Sequence, residues 1–215
     1  MELILGPKHF STWSLRPWLV LRRAGAEFRE QVLELYGPDS KATLLAVSPS
    51  GLVPVLKVDG EVIGDSLAIA EWAAEHYPQA NLWPAAGPAR WLARSAAAEM
   101  HAGFGSLRQH CTMNPDHPMV GPARSAPPND PGVTRDLQRL VTLWTSLRQR
   151  FGEGGPYLFG DWSIADAFFT PVAARVRHYQ IALVDYGDAE GIAAQYVESL
   201  LAQPDFVLWS EQALK

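Results

Sequence analysis

The sequence predicts an α/β unit over residues 1–80, with elements in the order β-α-β-α-β-β-α, followed by an all-helical unit over residues 88–215. Three observations carry this expectation. Apolar residues in the first eighty positions switch repeatedly between strand and helix spacing. Asp59-Gly60 stands between two apolar runs, a strong short-range signal for a hairpin. Beyond Asn81–Pro88, which holds two prolines and a glycine and reads as a linker, apolar residues recur only at three- and four-residue steps.

The elements follow in order. Glu2–Leu5 is a short apolar strand, and Leu15, Trp18, Leu19 and Arg22 recur at helical spacing over Ser14–Gly25, where Gly25 ends the helix. Glu27–Leu35 alternates as a second strand, and Lys41–Val47 is a short helix. Val53–Val58 and Glu61–Ile63 flank the Asp-Gly turn. Asp65 and Ser66 open a helix that closes before Pro78. Ala89–Cys111, Thr134–Phe151, Ser163–Gln180, Gly191–Ala202 and Asp205–Leu214 read as helices, and Asn114–Gly132, with six prolines, as a loop or broken turns. The tryptophans, among them Trp72, Trp83, Trp91, Trp144 and Trp162, read as core and linker packing.

Composition narrows the function classes. A net charge of −5 supplies no counterion-release force toward nucleic acid. No apolar stretch reaches about 18 residues, and the N-terminal run lacks a basic leader, so a soluble cytoplasmic protein is expected. The single cysteine, Cys111, offers no disulfide, no CxxC pair and no thiolate metal site, so no metal is expected.

Several residues read as chemistry rather than packing. Ser11, Thr12, Trp13 and Ser14 lie where the first strand gives way to the first helix, so their hydroxyls and N–H groups point to the carboxyl edge of the sheet. A hydroxyl aimed at a thiol there favours thiolate; plain helix capping is the alternative. Pro54 at a strand entry fits either a cis peptide, freeing the Val53 backbone for an extended ligand, or a trans edge-strand proline. Asp65-Ser66 is either a cap or a clamp in which the helix terminus and Ser66 hold a carboxylate while Asp65 pairs with an ammonium.

These motifs resemble a known family. Ser-Thr-Trp-Ser-Leu-Arg-Pro-Trp (11–18), Ser-Pro-Ser-Gly-Leu-Val-Pro-Val-Leu (48–56) and Gly-Asp-Ser-Leu-Ala-Ile (64–69), in this order, resemble the thioredoxin-like domain of cytosolic glutathione transferases. Gly160–Asp166 resembles that family's capping box in its all-helical domain, with Ser163 as N-cap and Asp166 three residues on. The resemblance implies a bacterial serine-type member, zeta- or tau-like, acting as a cytoplasmic homodimer with glutathione as co-substrate. It implies that Ser11 activates the glutathione thiol, with Ser14 as understudy. Val53 and Pro54 would meet the cysteinyl backbone, and Asp65 and Ser66 the γ-glutamyl group. Lys41 would take the glycyl carboxylate, because Leu52 stands where relatives carry Lys or Gln. Trp13 replaces the cysteine of the zeta-type Ser-Ser-Cys-x-x-Arg pattern, which removes the nucleophile of glutathionyl-disulfide chemistry.

The second substrate is expected against one face of the Ala89–Cys111 helix, where Met100, His101, Phe104, Leu107, Arg108 and Cys111 recur, with Met113 and Asn114 extending the wall and Trp13 opposite. Arg16 adds positive potential near the thiol or forms a surface salt bridge. The favoured function is glutathione transfer to a small electrophile. The alternatives are glutathione-dependent cis-trans isomerisation of the maleylacetoacetate type, with Arg16 and Arg108 anchoring carboxylates, and a non-catalytic dimeric scaffold.

Overall fold

In the computed structural model, which describes residues 1–85, 87–121 and 129–215, β1 (Glu2–Leu5) is the pivot of the N-terminal part. Leu3 and Leu5 enter the main hydrophobic cluster while Ile4 enters a second one, because successive strand side chains point to opposite faces. β1 pairs in parallel with β2 (Arg29–Val32) and antiparallel with β3 (Val55–Val58), which pairs antiparallel with β4 (Glu61–Gly64). The sheet order is β2-β1-β3-β4. β2 is shorter than the alternation over Glu27–Leu35 predicts, because it is an edge strand whose ladder extends only as far as β1, from Glu2↔Arg29 to Leu5↔Val32.

Helix α1 (Thr12–Arg23) and α3 (Ser66–His76) pack on the Leu3/Leu5 face, and α2 (Ser40–Val47) places Leu44 and Val47 against Ile4. Gly25, at φ 71°, ends α1 as expected: its N–H bonds Arg22 O at 3.0 Å and that of Ala26 bonds Leu21 O at 3.0 Å, a Schellman closure. Asp59 and Gly60 both have positive φ, 51° and 84°, as a two-residue type I′ hairpin requires. The order β-α-β-α-β-β-α and the thioredoxin-like topology are therefore present.

The remainder is helical: α4 (Gly87–Ala102), α5 (Gly105–His110), α6 (Pro131–Phe151), α7 (Ile164–His178), α8 (Ile192–Ala202) and α9 (Pro204–Ala213). Helix α7 is buried along nearly its whole length and packs against α1, α4 and α8. One hydrophobic cluster consequently runs from Leu3 on β1 to Trp209 on α9. The N-terminus of α7 carries the expected capping box, with Ser163 N–H donating to Asp166 Oδ2 at 2.8 Å.

Three expectations need correction. The helix predicted over Ala89–Cys111 is broken at Gly103–Phe104. Phe104 takes a left-handed conformation, φ 52°, and α5 restarts with Leu107 N–H held by Asp136 Oδ2 of α6 at 2.8 Å. The Leu183–Tyr186 turn is a short 3-10 helix that apolar spacing does not announce. Trp91 is 68% exposed rather than packed, unlike Trp83 and Trp144. Of the proline-rich Asn114–Gly132 stretch, residues 114–121 form turns tied to the first loop by Met119 N–H to His9 O at 2.7 Å, and residues 122–128 lie outside the described residues.

Cys111 is fully buried, and desolvation pushes its thiol up to about 11. A thiol with a raised pKa stays protonated through neutral pH, and its contribution to stability is whole below the unfolded value near 9.0 and declines only as pH rises toward 11. Native protein at pH 8 is therefore expected to resist a chromogenic disulfide reagent, with one thiol titrating once denaturant is added. Rapid labelling of the native protein would contradict this burial. Among the described residues, no helix is long and apolar enough to cross a membrane, and no group of three or more His, Cys, Asp or Glu is placed to hold a metal ion.

Candidate active site

The loop from Gly6 to Ser11 connects β1 to α1 and sets the geometry of the predicted activating serine. Gly6 sits in close quarters there: a Cβ would stand 2.7 Å from Leu35 Cδ1 and 2.9 Å from Ser11 Oγ, so a larger residue would displace the Ser11 side chain or Leu35. Its N–H donates to Ser14 Oγ at 2.9 Å, and Ser11 Oγ donates to the same oxygen at 2.8 Å. Ser14 is fully buried, whereas Ser11 retains slight exposure at the N-cap of α1. The two hydroxyls are thus unequal: Ser14 is an internal acceptor that ties the loop, and Ser11 is the outer one.

A clamp unforeseen in the sequence fixes the same loop from behind. The Lys8 ammonium pairs with Glu30 of β2, donates to Gln212 Oε1 of α9 at 2.5 Å, and lies 5.1 Å from the ring centroids of both Trp18 and Trp209. Trp209 Nε1 donates to Lys8 O at 2.9 Å, and Trp18 Nε1 to Glu30 Oε1 at 2.6 Å. Such an ammonium between two indoles is favoured by their quadrupoles, more so when desolvated.

A cleft of about 660 Å³ opens between Trp13 of α1, the β3 entry and the start of α3, within the range of small-molecule sites; neither Ser11 nor Ser14 lines it, Trp13 standing between them in the chain. Val53, Pro54, Asp65, Ser66, Trp13 and His101 all line it. The Val53-Pro54 bond is cis, and Val53 lines the cleft just ahead of the ladder that begins at Val55. Asp65 has a positive φ of 83° and divides its carboxylate: Oδ1 accepts from Leu67 N–H at 2.7 Å as the α3 cap, and Oδ2 lies 3.2 Å from His101 Nε2 across the cleft. Ser66 is buried, and its hydroxyl has no hydrogen-bonding partner among the described residues. Pro49, Ser50, Leu52, Val62 and Gly64 complete the walls; the first three fall inside the Ser-Pro-Ser-Gly-Leu run, and the signal was there to be read.

Other predicted positions lie elsewhere. Lys41 is exposed in the first turn of α2 and does not line the cleft. Met100 and Phe104 are packed in the core, as are Leu107 and Cys111, and Met113 is buried near them. Their spacing reflects core packing, because the break at Phe104 divides the face they were expected to share. His101 alone of that set lines the cleft.

Arg16 is the largest departure from expectation. It forms no surface salt bridge: it is fully buried, with its guanidinium carbon 3.9 Å from the Trp13 ring centroid and 5.2 Å from that of Phe168. Its Nε, Nη1 and Nη2 have no hydrogen-bonding partner among the described residues. Burial, followed by the charges of Arg175 and Arg108, holds its pKa well below the ordinary guanidinium value, with Asp65 acting the other way. Arg175, which spacing did not single out, is buried on α7; its Nε donates to Cys111 O at 3.0 Å and its Nη1 is unpartnered. A charged residue in the Ala167–Val176 stretch, where Thr170 is the only other polar side chain, was the available signal.

Comparison with known proteins agrees with this fold. Residues 10–76 match the family model for the glutathione S-transferase N-terminal domain. A probable maleylacetoacetate isomerase from Caenorhabditis elegans is 31% identical over 176 residues, spanning 81% of this chain and 78% of that protein. A zeta-class glutathione S-transferase from Euphorbia esula is 27% identical over 180 residues, spanning 82% and 77%. The crystal structure of a glutathione transferase homologue from Burkholderia gl BGR1 with bound glutathione superposes with a TM-score of 0.73 at 25% identity, covering 99% of this chain and 97% of that one. Sequence motifs, topology and relatives converge: the chain belongs to the glutathione S-transferase family, whose co-substrate is glutathione.

Proposed function

We propose that the protein is a glutathione transferase that activates the thiol with the Ser11 hydroxyl and directs it at a small electrophile. The observation that carries this reading is the clamp at the α3 terminus. A buried Ser66 hydroxyl without a protein partner among the described residues, an acidic Asp65 and Val53 line one cleft with Trp13, two residues on from Ser11. An α-amino acid carries the carboxylate and ammonium that such a terminus and carboxylate recognise. In the reaction, the Ser11 O–H turns from Ser14 to the sulfur and stabilises thiolate while the thiol proton passes to solvent. The thiolate then forms a carbon–sulfur bond, and the leaving group departs with its electron pair. Glutathione sits in the unit of residues 1–80 and the electrophile lies against that of 88–215. Glycyl-carboxylate binding by Lys41 would need the α2 turn to approach the cleft.

Isomerisation of a maleyl-type dicarboxylate is the second reading. It is favoured by the maleylacetoacetate isomerase named among the relatives and by the guanidiniums of Arg16, Arg108 and Arg175, whose charges act on one another behind the cleft. A homodimer fits membership of the family, and Trp91 of α4 leaves an apolar side chain exposed away from the cleft. The cytoplasm fits a co-substrate that must be kept as thiol.

Calorimetric titration with reduced glutathione, with ultraviolet difference spectra in the thiolate band at neutral pH, tests the reading. Binding with a thiolate signal is expected. Absence of binding at millimolar glutathione would overturn it in favour of a scaffold.

A further inference from the structure

A fully buried guanidinium without a hydrogen-bonding partner is costly, since charges leave water only when paired or hydrogen-bonded. Arg16 is in that position, and Arg108 Nε and Arg175 Nη1 are likewise buried and unpartnered among the described residues. Their charges reinforce one another, so the region behind the cleft has the electrostatics of an anion receptor. None of the three lines the cleft, whereas Trp13 does. The Trp13 indole covers the Arg16 guanidinium at 3.9 Å, stands 5.6 Å from that of Arg108, and meets His101 edge-on at 5.4 Å between ring centroids. The ring is therefore the wall between the glutathione cleft and the guanidiniums. Its π face gives Arg16 cation–π stabilisation but no hydrogen bonds.

We infer that Trp13 is the specificity-determining lid of this enzyme: in place it denies small carboxylate substrates the Arg16 guanidinium and keeps the cleft selective for electrophiles without a carboxylate, and where it is removed a dicarboxylate binds. The inference deepens the proposed function, resting on its assignment of the cleft. It also states why a chain with isomerase relatives would favour transfer. Arg16 supplies up to three donor nitrogens for a carboxylate, a geometry that accepts planar anions bidentately. Asp65 and His101 are the other titratable groups near Trp13 and Arg16: His101 meets the Trp13 ring and lies 3.2 Å from Asp65 Oδ2, and the Asp65 carboxylate offsets part of the Arg16 charge.

The test is calorimetric titration of maleate into wild type, Trp13→Ala, Trp13→Cys and Trp13→Phe, each with and without saturating glutathione. The alanine and cysteine variants are expected to bind maleate at least tenfold more tightly than wild type, and the phenylalanine variant like wild type. Adding Arg16→Met to Trp13→Ala is expected to abolish the gain. Folded alanine and cysteine variants that bind no better than wild type would overturn the proposal, as would a gain that survives Arg16→Met. Loss of folding in both would make Trp13 a core residue and overturn it too. Failure of glutathione to bind wild type would sink the transferase reading alone, because the maleate series without glutathione still reports on the lid.

Discussion

Ser11→Ala is expected to remove most of the thiolate from bound glutathione while leaving glutathione affinity nearly unchanged. A hydrogen bond to a charged group contributes about 1.5–3 kcal/mol, and about 1.4 kcal/mol corresponds to one pKa unit. The bound thiol should therefore rise by roughly one to two units, and the rate at neutral pH fall about ten- to hundredfold. A pH titration of the thiolate absorbance measures the shift directly. Ser14→Ala should act differently. Ser14 Oγ accepts from both Gly6 N–H and Ser11 Oγ in a fully buried position, so its loss leaves the Gly6 donor unpaired. That costs about 1–3 kcal/mol of stability and a smaller part of the thiolate signal. If Ser14→Ala abolishes thiolate and Ser11→Ala does not, the two roles must be exchanged.

The largest stability loss is expected from Asp166→Ala. This fully buried carboxylate accepts four hydrogen bonds: from Leu158 N–H at 3.1 Å, Ser163 N–H at 2.8 Å, Ser163 Oγ at 3.0 Å and the Tyr196 hydroxyl at 2.8 Å. It joins the start of α7 to the preceding loop and to α8. Alanine would leave these donors buried and unsatisfied, a loss of about 3–5 kcal/mol of the kind seen when one member of a buried polar set is deleted. For a chain of this length that lowers the melting temperature by roughly 6–20 °C. Tyr196→Phe, removing one donor, should cost about 1 kcal/mol. Urea unfolding of both variants is the check, and a loss below that of Tyr196→Phe would refute the hub role of Asp166. Burial outweighs the four donors and holds the Asp166 carboxyl above its ordinary value. A group raised in the folded state gives its full stabilisation in acid and loses it as pH rises through the raised value. Protonation of Asp166 therefore does not drive acid unfolding.

What could be read from the sequence was local backbone chemistry. The Asp59-Gly60 turn, Gly25 closing α1 and the Ser163–Asp166 box each depend on residues within a few positions of one another. The cleft was legible for a similar reason, because Val53, Pro54, Asp65 and Ser66 sit in short motifs at the edges of strands and helices. Residues placed by distant contacts were hidden. Phe104 keeps a left-handed backbone where α5 restarts on Asp136, 29 positions after Leu107. Helical spacing gave Met100 and Phe104 an open face, whereas packing put them inside. Nothing near Arg16 in the chain announces that Phe168, from α7, encloses it with Trp13.

The Lys8 clamp joins positions 204 residues apart in the chain. Its partners Trp209 and Gln212 belong to α9, which leaves the ribosome long after β1, α1 and the Ser11 loop. Local rules and early contacts can shape the sheet during synthesis, but the loop that aims Ser11 is held from behind only after α9 has emerged and docked. The thioredoxin-like half is thus finished as a fold well before it is finished as a site. The interval between the two is set by translation of the helical half.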